Sequence, residues 1–121
     1  MQSLLYFSAV LAATLGAAHS VLGEKYILIR LFRRNDLPKL FGSAEFTTRT
    51  LRFAWHLTTV AWFGFAALLA RAAHGELSGE SLRIIGATFL ISGLVVLIGS
   101  RGKHLAWIAM FCIGGIAWTF A

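Results

Sequence analysis

The fold of this chain is decided by the stretch LRIIGATFLISGLVVLIGS, residues 82–100, which is long and apolar and carries one charged side chain, Arg83. A helix needs roughly 17–25 such residues to cross the hydrocarbon core of a bilayer, which is about 30 Å thick. The stretch does not alternate between apolar and polar residues, as the strand of a membrane barrel would. We therefore predict a membrane-spanning helix here.

The composition of the whole chain agrees with this prediction. Of its 121 residues, 58% are hydrophobic and 13% are charged, whereas a soluble domain has about 45–50% apolar and about 25% charged residues. The high apolar content excludes a disordered chain, and the one cysteine excludes a disulfide-stapled secreted domain. With a mean hydropathy of +0.75, the chain is expected to be an integral membrane protein.

Three further apolar stretches are long enough to span a bilayer, and they cover residues 3–23, 53–73 and 104–121. The first of them lacks the positively charged start that is typical of a cleaved signal peptide, so we interpret it as a true span. The sequence therefore predicts one all-α domain over residues 1–121. This domain is an integral membrane four-transmembrane-helix bundle.

The basic residues predict the orientation of the spans. Residues 24–52 and the short third connection together hold nine of the eleven lysines and arginines. Because such residues concentrate on the cytoplasmic side, we expect both connections to be cytoplasmic and both termini to face outward (N-out/C-out), in the cell inner membrane. The formal net charge of +6 is thus explained by topology, and no nucleic acid partner is expected.

The cytoplasmic loop, residues 24–52, is the only connection long enough for structure of its own. Residues 24–34 mix apolar and basic side chains without a helix breaker, which predicts an amphipathic helical extension of the first span. Its basic side chains would meet anionic lipids of the bilayer. Ser43 is expected to cap the helix that enters the membrane next.

The histidines are the candidate functional residues, because ionisable side chains within membrane spans are rare and costly. His19, His56 and His104 come from three predicted helices and fall within about two turns of one depth, on the cytoplasmic side of the membrane. Three imidazoles suit zinc, iron or copper, with Glu24 as a further ligand or as the group that orients an imidazole. Two of them could instead hold haem b between helices. The alternative is that each histidine bonds a backbone carbonyl or a hydroxyl, and His74 is expected to be solvated in its loop.

Three classes of function stay open on this evidence. The first is binding of a transition metal ion or haem through the histidines, and the second is a non-catalytic accessory or assembly subunit of a larger membrane complex, or a homo-oligomer. The third is an oligomeric channel or transporter, which is disfavoured because no acidic residue lies deep within a span. No G-x-S-x-G or H-E-x-x-H motif occurs, so no catalytic residue is assigned.

Two short segments carry a resemblance to known proteins. The segments GAAHSVLGE, residues 16–24, and LRFAWH, residues 51–56, resemble a family of small bacterial four-span inner-membrane proteins. In these proteins a histidine–glutamate segment ends the first helix and a Trp-His pair opens the second. The resemblance covers the first two predicted spans. It implies a bacterial source and a four-helix bundle, and it implies no particular activity.

Overall fold

The chain is described over residues 1–121 by a computed structural model, and it is all-helical. The helices are α1 (Gln2–Gly23), α2 (Ile29–Leu31), α3 (Glu45–Ala73), α4 (Gly79–Gly99) and α5 (Ala106–Thr119). A π-helical segment, Glu24–Leu28, joins α1 to α2. The helix therefore continues well beyond the predicted end of the first span. The all-α prediction is confirmed.

Three helices are long and apolar enough to cross a membrane, namely Gln2–Leu31, Glu45–Ala73 and Gly79–Gly99. The second of these starts earlier than its predicted span, since the Ser43 hydroxyl accepts the Glu45 N–H at 3.3 Å and begins the helix there. The fourth predicted span contains only the 14 residues of α5. Three of the four predicted spans are thus shown by length and composition.

The shortening of the fourth predicted span has a local cause. Arg101 and Gly102 adopt positive φ angles of 52° and 77°, which turn the chain after α4. The Nδ1 atom of His104 then accepts the Ala106 N–H at 3.3 Å. His104 consequently precedes the helix, where the sequence predicted that it would open it.

The chain divides into two compact units. We call Met1–Leu15 together with Trp62–Ala121 the core unit, and Gly16–Ala61 the clamp unit. The core unit has an apolar interior to which α1, α3, α4 and α5 all contribute. Its fully or almost fully buried side chains include Leu5, Leu69, Ile85, Phe89 and Ile113.

Within the core unit, α4 and α5 form an antiparallel hairpin that depends on glycine. A Cβ atom at Gly86 would lie 3.1 Å from the Gly114 carbonyl oxygen, and one at Gly114 would lie 2.9 Å from the Gly86 carbonyl oxygen. Such close backbone approach is typical of helix pairs that use small residues in membranes. At the two ends of the hairpin, Gly79 lies against Ala121 and Gly93 against Phe111. α5 therefore runs alongside α4 over its whole length.

Two polar features of the core unit were not predicted. The Tyr6 hydroxyl and His74 Nε2 lie 2.5 Å apart, and their rings meet edge to face at 5.5 Å. His74 is exposed, as expected for a loop residue, but it has a partner. The Ser8 hydroxyl is fully buried and has no hydrogen-bond partner. It is an isolated polar group inside an apolar interior.

In the clamp unit the loop between α2 and α3 is held by local bonds. The Arg34 guanidinium binds the Asp36 carboxylate through two N–H groups, one of them at 2.8 Å. This hydrogen bonding lowers the pKa of Asp36 and raises that of Arg34. The Thr47 hydroxyl donates to the Pro38 carbonyl at 2.8 Å. The bond from Thr47 fixes the loop against the first turn of α3.

Candidate functional site

The candidate site lies in the clamp unit, where the end of α1 and the π-helical segment contact the beginning of α3. Residues spaced three or four apart share one face of a helix, and two such faces meet here. The first face carries a carbonyl, a hydroxyl and a carboxylate, and the second carries a guanidinium, an imidazole and a hydroxyl. In chain order the six residues are Gly16, Ser20, Glu24, Arg52, His56 and Thr59.

A chain of hydrogen bonds links the hydroxyl groups to the imidazole of His56. Thr59 donates from its hydroxyl to the Gly16 carbonyl at 3.1 Å. The Ser20 hydroxyl lies 2.6 Å from Thr59 Oγ1 and 2.8 Å from His56 Nδ1. Since a carbonyl can only accept, the proton of Thr59 is committed to Gly16, and Ser20 must therefore donate to Thr59. The bond between Ser20 and His56 then requires a proton on Nδ1.

The other nitrogen of the same ring faces a carboxylate. His56 Nε2 lies 3.2 Å from Glu24 Oε2, and Arg52 Nη2 lies 3.0 Å from Glu24 Oε1. A neutral imidazole that is protonated at Nδ1 has only a lone pair at Nε2, which cannot bond to a carboxylate. The contact between Nε2 and Glu24 Oε2 therefore needs a proton, which either the ring or the carboxyl group can carry. His56 thus lies between Ser20 and Glu24, with one ring nitrogen facing each of them.

The three ionisable side chains of the network are partly open to the surroundings. The side chains of Arg52, His56 and Glu24 are 45%, 36% and 30% exposed, whereas Thr59 is buried. The Arg52 guanidinium also lies 5.0 Å from the centre of the Phe32 ring, a cation–π contact. The network therefore passes from a buried hydroxyl to three half-open ionisable side chains, Arg52, Glu24 and His56.

A second pair of residues joins the same two helices. His19 and Trp55 stack with ring centroids 4.5 Å apart and planes within 6° of parallel. The Trp55 indole N–H donates to the His19 carbonyl at 3.0 Å, and the His19 Nε2–H donates to the Trp55 carbonyl at 3.2 Å. Gly23 makes room for the indole, since a Cβ atom there would lie 2.6 Å from Trp55 Cζ2 and closer still to Nε1 and Cε2. Only glycine at this position allows the stacking.

The predicted metal site through His19, His56 and His104, with Glu24, finds no support in this geometry. No group of three or more histidine, cysteine or acidic side chains is arranged to hold a metal ion. The physical reason is that at least one nitrogen of each ring already has another partner. His56 bonds Ser20 and Glu24, His19 bonds a backbone carbonyl, and His104 accepts a backbone N–H at the start of α5. The same bonds leave the haem prediction without support.

Sequence reasoning placed Glu24 beside an imidazole but missed the central residue of the network. Ser20 contacts both Thr59 and His56, and its signal was available in the spacing of Gly16, Ser20 and Glu24 along one face. The π-helical turn, closed by the Ile29 N–H bonding to the Glu24 carbonyl, has no such signal. Turns of this kind are frequent at functional positions of helices.

Comparison of the chain with protein-family models, with curated proteins and with solved structures gives no match. The interpretation of the site therefore depends on its own geometry. That geometry is an antiparallel contact between α1 and α3, made by a stacked pair and a polar network. Every ring nitrogen of His56 is used within it.

Proposed function

We propose that this chain is a small multi-pass protein of the cell inner membrane, and that it acts as a non-catalytic accessory or assembly subunit of a larger membrane complex. One observation carries the proposal. The ionisable residues at the end of α1 and the beginning of α3 are bonded to one another, through His56 and Glu24 above all. Side chains that bond to each other across two helices hold the helices together. They do not present free ligands to a cofactor or a substrate.

The proposal includes four membrane-spanning helices with both termini on the outer side. Three helices have the necessary length and apolarity, and α5 is expected to enter the membrane with α4 because the two pack closely along their glycines. Nine of the eleven basic residues lie within residues 24–52, which include the first two turns of α3, and in the turn after α4. The positive-inside rule then favours a cytoplasmic position for both connections.

The role as a subunit is supported by the apolar surface that α4 leaves uncovered. Only 28% of its most apolar window is buried within the chain. Ile91, Val95 and Ile98 are each more than three-fifths exposed. In a bilayer such a surface packs against lipid or against other helices, and a chain of this size has few helices of its own to cover it.

The proposal is tested by extracting the protein from its native membrane into polymer-bounded discs. We expect one assembly with partner chains in fixed ratio, without stoichiometric metal and without a haem absorption band. A single unaccompanied copy would contradict the subunit role. A stoichiometric metal or a haem band that disappears in His56→Ala would contradict the structural role of the histidines and restore the cofactor hypothesis.

The topology is tested by labelling with a membrane-impermeant thiol reagent. In a Cys112→Ala background, Glu80→Cys is expected to react from the outer side of intact cells, and Lys39→Cys only after the cells are opened. Both positions are exposed, so the two variants act as controls for each other. The reverse pattern would refute the proposed orientation, and equal reaction at both positions would refute the spans.

A further inference from the structure

An open groove runs along the surface of α3 in the clamp unit. It has a volume of about 500 Å³ and is lined by Arg49, Arg52, Phe53, His56, Leu57 and Val60. The spacing of these residues places them on one side of the helix. The charged residues lie toward the beginning of α3, and the end of the groove beyond His56 is apolar. The wall of the groove is almost entirely apolar, and the residues at one end of it carry ionisable groups.

The apolar part of the groove is uncovered. Phe53, Leu57 and Val60 are 56%, 57% and 64% exposed. From Arg49 to Val60 the helix rises about 16 Å, at about 1.5 Å per residue. This length is close to one leaflet of a hydrocarbon core of about 30 Å. An acyl chain that lay beside α3 would therefore extend from the charged end to the apolar end.

The charged end of the groove can still bind an anion. Arg49 contacts Glu45 through Nη2 at 2.6 Å, and Arg52 contacts Glu24 through Nη2 at 3.0 Å. A guanidinium has five N–H donors, so donors of both arginines stay available after these contacts. The whole clamp unit holds seven lysines and arginines and three acidic residues. Its excess of positive charge is complementary to a phosphodiester, which arginine binds through paired hydrogen bonds.

We propose that this groove binds one anionic phospholipid of the cytoplasmic leaflet. Its phosphate would contact Arg49 and Arg52, and one acyl chain would lie along Phe53, Leu57 and Val60. The inference rests on the proposed membrane function and extends it, because it assigns a defined lipid to a defined helix face. It differs from general attraction of lipid to the basic loop, which would not depend on the apolar part of the groove.

The experiment uses the full-length purified chain in bilayers of phosphatidylcholine that contain phosphatidylglycerol as the anionic probe. Native mass spectrometry then counts the lipid retained after release from the bilayer, and one phosphatidylglycerol per chain is expected. Arg49→Gln is expected to lower this affinity about 5-fold, since a basic residue near the surface is worth about 1 kcal/mol. The matched control is Arg33→Gln, which removes the same charge from the clamp unit but does not line the groove.

The apolar part is tested separately by Leu57→Trp and Val60→Trp, which fill the groove. Both side chains are exposed and have no part in the polar network, so the fold is expected to persist, as circular dichroism can check. Retention of phosphatidylglycerol should fall to the level of phosphatidylcholine. Unchanged retention would overturn the proposal. Equal loss in Arg49→Gln and Arg33→Gln would overturn it too, because the attraction would then be diffuse.

The remaining outcomes separate the lipid from other occupants and from failure of the proposed function. Displacement of the lipid by inorganic phosphate at similar concentration would show that only the phosphate is recognised, and would overturn the role of the groove. A partner helix found cross-linked to Leu57 in place of lipid would overturn the proposal as well. A chain that inserts into vesicles but retains no phosphatidylglycerol refutes only the lipid site. A chain that stays in the aqueous fraction refutes the membrane function itself.

Discussion

Replacing Gly23 by alanine tests the contact between α1 and α3 at its most crowded point. Alanine is the better helix former, so the substitution would be stabilising in an open helix. Here the added methyl group would overlap the indole ring of Trp55, since its Cβ would lie 2.6 Å or less from three ring atoms. The indole is rigid and must move as a whole. The two effects have opposite signs, and their magnitudes decide which one prevails.

The expected loss can be worked out from the contacts of Trp55. Moving the indole breaks its hydrogen bond to the His19 carbonyl, worth about 1 kcal/mol, and disturbs the return bond from His19, worth about as much. It also separates the stacked rings, a contact worth about 0.5–1.5 kcal/mol. Together these losses come to about 3 kcal/mol, against a gain in helix propensity of about 1 kcal/mol. Gly23→Ala should therefore lower the free energy of unfolding by about 2 kcal/mol.

The measurement is unfolding of the purified protein in mixed micelles with increasing denaturing detergent, followed by far-UV circular dichroism. Gly64→Ala is the matched control, because Gly64 lies inside α3 and a Cβ there would meet no atom within 4 Å. This control should be stabilised by about 0.5–1 kcal/mol. If Gly23→Ala were as stable as Gly64→Ala, the crowding argument would be wrong.

A double-mutant cycle sharpens the test. In a Trp55→Ala background there is no indole to displace, so Gly23→Ala should become neutral or stabilising. The coupling energy between the two positions is then about 2–3 kcal/mol, in the range measured for residues in contact. Additive effects would show that the loss arises elsewhere, for example in the π-helical turn that begins at Glu24.

Three further predictions concern other parts of the chain. Gly114→Ala should destabilise the α4–α5 hairpin by about 1–3 kcal/mol, because its Cβ would lie 2.9 Å from backbone atoms of α4. In the adjacent Gly115→Ala the new Cβ meets nothing within 4 Å and should not destabilise the hairpin, and thermal unfolding compares the two variants. Ser8→Ala should raise the free energy of unfolding by about 1 kcal/mol, since it removes a buried hydroxyl that has no partner; a lower free energy of unfolding would reveal a partner. Asp36 has a lowered pKa because Arg34 bonds its carboxylate, so the stability that this bond supplies is present above the ordinary aspartate pKa and is lost as the pH falls through the lowered pKa. Arg34→Gln should raise the pKa of Asp36 toward its ordinary value in an NMR titration. An unchanged pKa would contradict the assignment.

The helical fold could be predicted from the sequence because its signals are local and long. The apolar run at residues 82–100 has the length that a bilayer requires and contains nothing that ends a helix, and the structure has α4 at Gly79–Gly99. The start of α5 could not be placed in the same way. It depends on left-handed backbone at Arg101 and on the ring of His104 accepting a backbone N–H, and residue type alone indicates neither.

The candidate site could be predicted only in part, because periodicity gives the face of a helix but not the partner of that face. The stripe through Arg52, His56 and Thr59 was recognisable on α3, and Glu24 was expected near an imidazole. The predicted depth in the membrane grouped His104 with His19 and His56. Depth alone does not fix the position of a residue within the plane of the membrane, so it could not show whether the three side chains meet. Ser20 was overlooked because a serine in a membrane helix usually bonds its own backbone, whereas here it bonds across to α3.

The network explains why costly residues occur at this point without requiring a cofactor. An ionisable group near a membrane is tolerated when each of its protons and lone pairs has a partner. The Gly16 carbonyl accepts from Thr59 and thereby sets the direction of every bond that follows, through Ser20 to His56. That direction leaves the contact between Nε2 and Glu24 Oε2 to be completed by a proton on one of these two groups. Ser20 is the residue on which this depends, since only a group that both donates and accepts can connect Thr59 to the ring. An ionisable residue in a membrane helix therefore indicates a functional site only when the facing helix does not supply the donors and acceptors that its side chain needs.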